Sequence, residues 1–122
     1  MRAQAKTWLR DLYTLSDGTM VCQCCHQRMP FNLSDGKPYF EAVACVADEA
    51  RELVENFLAL CPTCAAKWQV ANGQTPAVIR ARLFETAELS IEVSLAGDEA
   101  VLRFVEVHLL DLQTALRQSV AA

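Results

Sequence analysis

Cys22-Gln-Cys-Cys25 and Cys61-Pro-Thr-Cys64 are the two stretches on which the reading of this chain turns. Each Cys-x2-Cys turn aims two thiolates at one point, and two such turns supply the four sulfurs of a closed tetrahedral zinc site. A site of this kind is structural, because four thiolates leave no coordination position open for water or substrate. The spacing therefore predicts one structural zinc ion held by Cys22, Cys25, Cys61 and Cys64. Disulfides are the rival use of such cysteines in small secreted domains. Residues 1–10 argue against that use, being charged and amphipathic with no apolar centre and no small-residue cleavage site. Reduced thiols imply a cytoplasmic protein.

Two further cysteines stand near these pairs. Cys24 lies inside the first knuckle and becomes a ligand if the turn is shifted, although the two-residue spacing favours Cys22 with Cys25. Cys45 reads as a buried inert thiol, since no neighbouring histidine is present in sequence to activate it as a nucleophile.

Length and composition bound the rest. A chain of 122 residues that is 52% hydrophobic can bury a core, and no apolar run approaches a membrane span. One compact domain is expected over residues 1–122, with no membrane association and no small-molecule substrate. Charge is uneven: residues 1–40 hold five Lys/Arg against three Asp/Glu, whereas residues 41–122 hold six against twelve. The net charge of −4 argues against a broad nonspecific nucleic-acid footprint, so that any DNA contact must be local.

Ala5, Trp8, Leu9, Leu12 and Leu15 recur at helical steps, predicting an N-terminal helix within residues 1–19 that Ser16-Asp-Gly18 brings to a stop. Trp8 lies on that stripe and reads as core. Ser34-Asp-Gly-Lys-Pro38 predicts a turn, and Tyr39-Phe-Glu-Ala-Val-Ala-Cys-Val46 after it a strand, together making a hairpin. Residues 47–55 are acidic and read as a loop or one helical turn. Pro62 opens a helix that runs to Val70, and Asn72-Gly73 ends it. Beyond it, Thr75-Pro76 caps another helix with Val78, Ile79, Leu83 and Phe84 on its apolar face. Leu89, Ile91, Val93 and Leu95 then alternate with polar residues, Ala96-Gly-Asp-Glu99 turns, and residues 101–107 return as a second strand. From about His108 to Gln118, Leu109, Leu112 and Leu116 share one helical face.

The order Cys-x2-Cys, hairpin, Tyr-Phe-Glu-Ala, then Asn-Phe-Leu-Ala-Leu-Cys-Pro-Thr-Cys resembles the zinc-stabilised branch of the HNH endonucleases, over about residues 20–70. The resemblance implies an α+β fold: a small ββα-metal core over residues 20–73, preceded by the N-terminal helix and followed by a helix, β-hairpin and helix extension over residues 74–122. In that family the strand continues Glu-Ala-His-His and the second knuckle Cys-Pro-x-Cys-His. One strand histidine acts as general base, and its neighbour together with a helix histidine holds a divalent ion. This chain carries Val43 and Ala44 at the strand positions and Ala65 after the last knuckle cysteine. None of them can accept a proton or ligate a metal. Asn56 matches the central asparagine of the family motif, which orients the loop as scaffold.

Other residues offer little replacement chemistry. His26 follows a zinc ligand and His108 precedes the leucines of the last helix; both read as surface or packing histidines, with His26 close enough in sequence to join the zinc site. Glu41, Asp48 and Glu49 are a weaker cation candidate, as acidic loops are usually just solvated.

Two readings follow. One is a zinc-binding, catalytically inactive HNH-like module that docks a protein partner or DNA, as a terminal part of a larger bacterial DNA-related or phage-defence protein. The other is a metal-dependent HNH-family endonuclease with a relocated active site. The missing histidines favour the first, and the acidic balance with an apolar C-terminal hairpin favours a protein partner or larger assembly over DNA.

Overall fold

In the computed structural model, which describes residues 1–121 and side chains through Gln118, the chain is a small α+β fold. Four helices, α1 (Arg2–Tyr13), α2 (Pro62–Val70), α3 (Pro76–Glu85) and α4 (Glu106–Ala121), surround two antiparallel strand pairs, β1 (Glu41–Ala44) with β2 (Phe57–Leu60) and β3 (Ser90–Leu95) with β4 (Asp98–Arg103).

Helix α1 buries Ala5, Leu9 and Tyr13 against the first sheet, with Trp8 and Leu12 at the margin of the core. It stops short of Leu15, the last residue of the expected stripe, because Thr14 turns extended and its hydroxyl caps the Arg10 carbonyl. Leu15 consequently falls beyond the helix and is exposed, and Tyr13 takes its place on the stripe.

The turn at residues 35–38 forms as expected, with Gly36 at positive φ and the Asp35 carboxylate accepting from the Lys37 N–H. It does not build the hairpin that the sequence suggested. Its arms meet only in the isolated bridge Asn32↔Pro38, and the strand contracts to Glu41–Ala44. That strand pairs instead with Phe57–Leu60, in the register Glu41↔Leu60 through Ala44↔Phe57. Every residue of β2 is buried, so the segment shows a continuous apolar run rather than the alternation that marks a half-exposed strand. The connecting loop ends in a short 3-10 turn, Val54–Asn56. Asn56 ties this loop to itself: its Oδ1 accepts from the Val46 N–H and its Nδ2 donates to the Val46 carbonyl.

Helix α2 starts and stops where expected. Cys61 is its N-cap, Pro62 occupies the first turn, and Ala71 closes it just ahead of Asn72-Gly73. Trp68 on this helix donates its indole N–H to the Ala44 carbonyl, clamping α2 onto β1. Thr75 caps α3 by accepting from the Val78 N–H, and Ile79 and Leu83 are buried while Val78 remains exposed.

The second hairpin is tighter than anticipated. Ala96 and Gly97 both take positive φ, the geometry of a two-residue turn matched to strand twist, so Asp98 is already in β4. The return strand thus covers Asp98–Arg103 rather than residues 101–107, and α4 begins at Glu106, ahead of His108. Ile91, Val93, Leu95 and Leu102 face inward.

One continuous buried cluster contains Leu9 of α1, Phe40, Leu58 of β2, Leu83 of α3, Leu102 of β4 and Leu112 and Leu116 of α4. Gln23 links the first knuckle to both sheets. Its main chain donates to Ala59, its Oε1 accepts from the Ala59 N–H, and its Nε2 donates to the Arg103 carbonyl. The loop after α2 is stitched to β3 in the same manner: Gly73 donates to Ser94, and a Cβ at Gly73 would lie 2.8 Å from the Ser94 oxygen. No described helix is long and apolar enough to cross a membrane. Ala122, the end of the anticipated extension, lies outside the described residues.

Candidate metal centre

The two knuckles arrive from different elements. Cys22 and Cys25 sit on a turn closed by bonds from the Cys22 N–H to the Gln27 carbonyl and from the His26 N–H to the Cys22 carbonyl, with His26 itself at φ 64°. Cys61 and Cys64 occupy the N-cap and first turn of α2. The pairing of β1 with β2 and the Gln23 bridge hold the two turns face to face.

Sulfur atoms of Cys22, Cys25, Cys61 and Cys64 all lie within 4.8 Å of one another. Among the described residues this is the one group of three or more His, Cys, Asp or Glu side chains so gathered. The Cys25 and Cys61 sulfurs are 3.9 Å apart, close to the ~3.8 Å edge of a tetrahedron built on metal–sulfur bonds of about 2.3 Å. Backbone N–H groups point at the sulfurs as well. Cys24 and Cys61 each donate to Cys22 Sγ at 3.4 Å, and Cys64 donates to Cys61 Sγ at 3.5 Å. Such bonds favour thiolates, so the donor set fits a metal ion.

The acidities of these thiols point the same way. Burial pushes the Cys25 thiol up to about 11. Burial, followed by negative charge at Cys22 and Cys24, also raises Cys64 far above an ordinary thiol. Burial opposes ionisation of Cys61 too, but the Cys64 N–H and the hydrogen bonds of the other three thiols outweigh it and lower its pKa. Cys61 ionises more readily than an ordinary thiol, while burial and then neighbouring sulfur charge hold Cys25 and Cys64 back; a bound cation removes that conflict.

The remaining candidates fall outside the cluster. Cys24 is buried beside it, its pKa raised by burial and then by charge at Cys22, and does not join the four gathered sulfurs. His26 turns its imidazole away, Nε2 donating to the Val101 carbonyl at 2.8 Å. Cys45 is fully enclosed, and burial lifts its pKa to about 12. Glu41, Asp48 and Glu49 are not brought together as a cation site; Glu49 instead pairs with Arg80 at 3.3 Å. His108 is a packing histidine with no exposed surface.

A cavity of about 340 Å³ opens beside β1 and α2. Val43, Ala44, Cys45, Trp68 and Ile79 form much of its wall, with Arg2, Gln69, Asn72 and Gln74 among the polar groups. Ala65 is buried next to the second knuckle. Sequence reasoning missed Gln23, Arg2 and Trp68, whose roles depend on partners brought close only by folding.

No known protein family and no solved structure matches the chain. Over 65 residues it is 32% identical to the type IV methyl-directed restriction enzyme EcoKMcrA of Escherichia coli (strain K12). That match takes in 48% of this chain and 24% of the enzyme, so the chain spans about a quarter of that relative's length.

Proposed function

We propose that this chain is a zinc-organised module of HNH-like ββα design that has kept the scaffold, lost the phosphodiester chemistry, and docks within a larger DNA-related assembly. Zinc suits four thiolates in tetrahedral array, and such a closed site stabilises structure without activating water. The order β1, β2, α2, with a knuckle before the first strand and another at the start of the helix, supports a ββα-metal reading of this region. Asn56 supports the same reading, because it pins the loop between the strands through both polar groups of Val46.

The observation that carries catalytic silence is the wall beside β1 and α2. Val43 and Ala44 border the cavity there, the Cys45 thiol in it stays protonated at neutral pH, and Ala65 stands where the helix ligand would be. Hydrolysis needs a proton acceptor and a water-polarising ion in reach of one phosphate, and these side chains supply neither. The restriction-enzyme relative supports a DNA-related setting.

A supercoiled-plasmid assay tests the reading. The purified chain is expected to leave plasmid uncut with Mg2+, Mn2+, Ni2+ or added Zn2+. Cutting that persists through repeated chromatography and disappears on Glu41→Gln or His26→Ala would overturn it in favour of an endonuclease with a relocated site.

A further inference from the structure

Arg2, Lys6 and Arg10 recur every fourth residue of α1 and so lie along one face of that helix, at intervals of about 6 Å. Each is fixed over the segment that leads into β1 and its neighbour. Arg2 donates to the Ala42 carbonyl and stands over the Phe57 ring, Lys6 lies over Tyr39, and Arg10 donates to the Pro38 carbonyl. Both arginines spend one N–H on a backbone carbonyl, leaving further donors for another acceptor. Beside this row the Phe31 ring lies parallel to that of Tyr39, centroids 5.0 Å apart and planes 6° from coplanar. Phe31 is 55% exposed, so much of its ring stands open to solvent. Lys37 follows on the same turn and is exposed.

A row of cations beside an exposed aromatic face is the combination that single strands use, phosphates tracking the cations while bases stack on the rings. The charge distribution agrees. Cations outnumber carboxylates in residues 1–40 of a chain whose remainder is acidic, and two of the three carboxylates there, Asp17 and Asp35, accept from backbone N–H groups of their own turns.

We propose that Arg2, Lys6, Arg10 and Lys37, with the stacked pair Phe31 and Tyr39, form a docking surface for single-stranded DNA, a base stacking on Phe31 while phosphates follow α1. The choice of DNA over RNA rests on the DNA-related setting proposed above; the surface itself does not. None of these six residues belongs to the gathered cysteine cluster.

Fluorescence anisotropy of the full chain with a labelled short oligothymidine tests this, with the matching duplex and oligouridine as further arms. Binding is expected at low salt and stronger for the single strand than for the duplex. Phe31→Ala should weaken it roughly ten-fold, while Phe31→Trp keeps it. Lys6→Gln and Lys37→Gln should each lower the salt dependence by about 0.7 in the log–log slope. Leu110→Ala, on exposed α4 surface, is expected to change nothing. Failure to bind, binding indifferent to Phe31→Ala, binding to oligouridine alone, or Phe31-dependent self-association in sedimentation would each overturn the proposal. Plasmid cleavage remains a separate readout: it sinks the silent-module reading and leaves this result standing.

Discussion

The Tyr13 hydroxyl lies 2.6 Å from Nδ1 of His108 and so joins the end of the first helix to the start of the last. The partners fix every proton in this chain of bonds. His108 Nε2 faces the Glu55 carbonyl at 3.1 Å, which can only accept, so Nε2 carries the hydrogen. In the neutral ring Nδ1 is then an acceptor, Tyr13 donates to it, and the Tyr13 oxygen in turn accepts from the Val105 N–H. Trp8, Tyr13 and Phe104 pack edge-on around the imidazole. Burial holds the His108 pKa down to about 4, against the opposing effect of hydrogen bonds to the Glu55 and Phe57 backbone.

Stability should therefore depend on pH through His108. Between about pH 6.5 and pH 4 the unfolded chain takes up a proton that the folded protein refuses, so stability falls as pH falls across that window. The full effect is about 3 kcal/mol, reached near pH 4. Thiolate ligands also lose metal in acid, so the comparison is with His108→Gln, in which that loss is shared. Denaturant melts should show the advantage of the wild type over His108→Gln shrinking from pH 7.5 to pH 5; a constant difference would refute the assignment.

Asn56→Ala leaves the buried Val46 N–H without its acceptor and takes from the Val46 carbonyl one of its two donors, the Glu49 N–H remaining at 3.4 Å. The expected loss is about 1–3 kcal/mol in urea unfolding. Asn56→Asp keeps the acceptor for the Val46 N–H but turns the donor into a second acceptor facing a carbonyl, and should be no better than alanine.

Elemental analysis is expected to give one zinc per chain, retained in Cys24→Ala and lost in Cys61→Ser. Chelation should unfold the protein, because the sulfurs are gathered from two distant segments and the binding energy is part of folding. Four oxidised cysteines and no metal would refute the site.

Much of this was legible because it is local. Ligand spacing, the Cys61-Pro62 and Thr75-Pro76 helix starts and the alternation of β3 each depend on a few neighbouring residues. The pairing of β1 with β2 was not, since Phe57–Leu60 is buried on both faces and carries no period of two, while the Asp35-Gly36 turn offered a nearer but false partner. The bonds of Gln23 to Arg103 and of Tyr13 to His108 span 80 and 95 residues, beyond any local pattern. Of the candidate site, the four cysteines were legible, whereas the cavity beside β1 and α2 was not.

Residues 75–122 should fold only with the knuckle region. Ile79, Leu83, Leu102, Leu112 and Leu116 share one buried cluster with Leu9 and Leu58, and Gln23 bonds to the main chain of β4. A chain ending at Asn72 is expected to be insoluble or to lack a cooperative melt. Unchanged melting would make the C-terminal part an independent element.

Placing histidines at positions 43, 44 and 65, where the HNH motif would carry them, should be opposed by packing. Val43 is 3% and Ala65 1% exposed, so an imidazole at either must displace core atoms and bury a polar ring, at about 1–3 kcal/mol each. Ala44 is half-buried at the edge of the roughly 340 Å³ cavity, and Ala44→His should melt close to the wild type. The combined Val43→His, Ala44→His, Ala65→His chain is therefore expected to be less stable than Ala44→His alone and to leave supercoiled plasmid intact. Nicking by the triple variant at wild-type stability would mean that the core accommodates a catalytic centre at these positions after all.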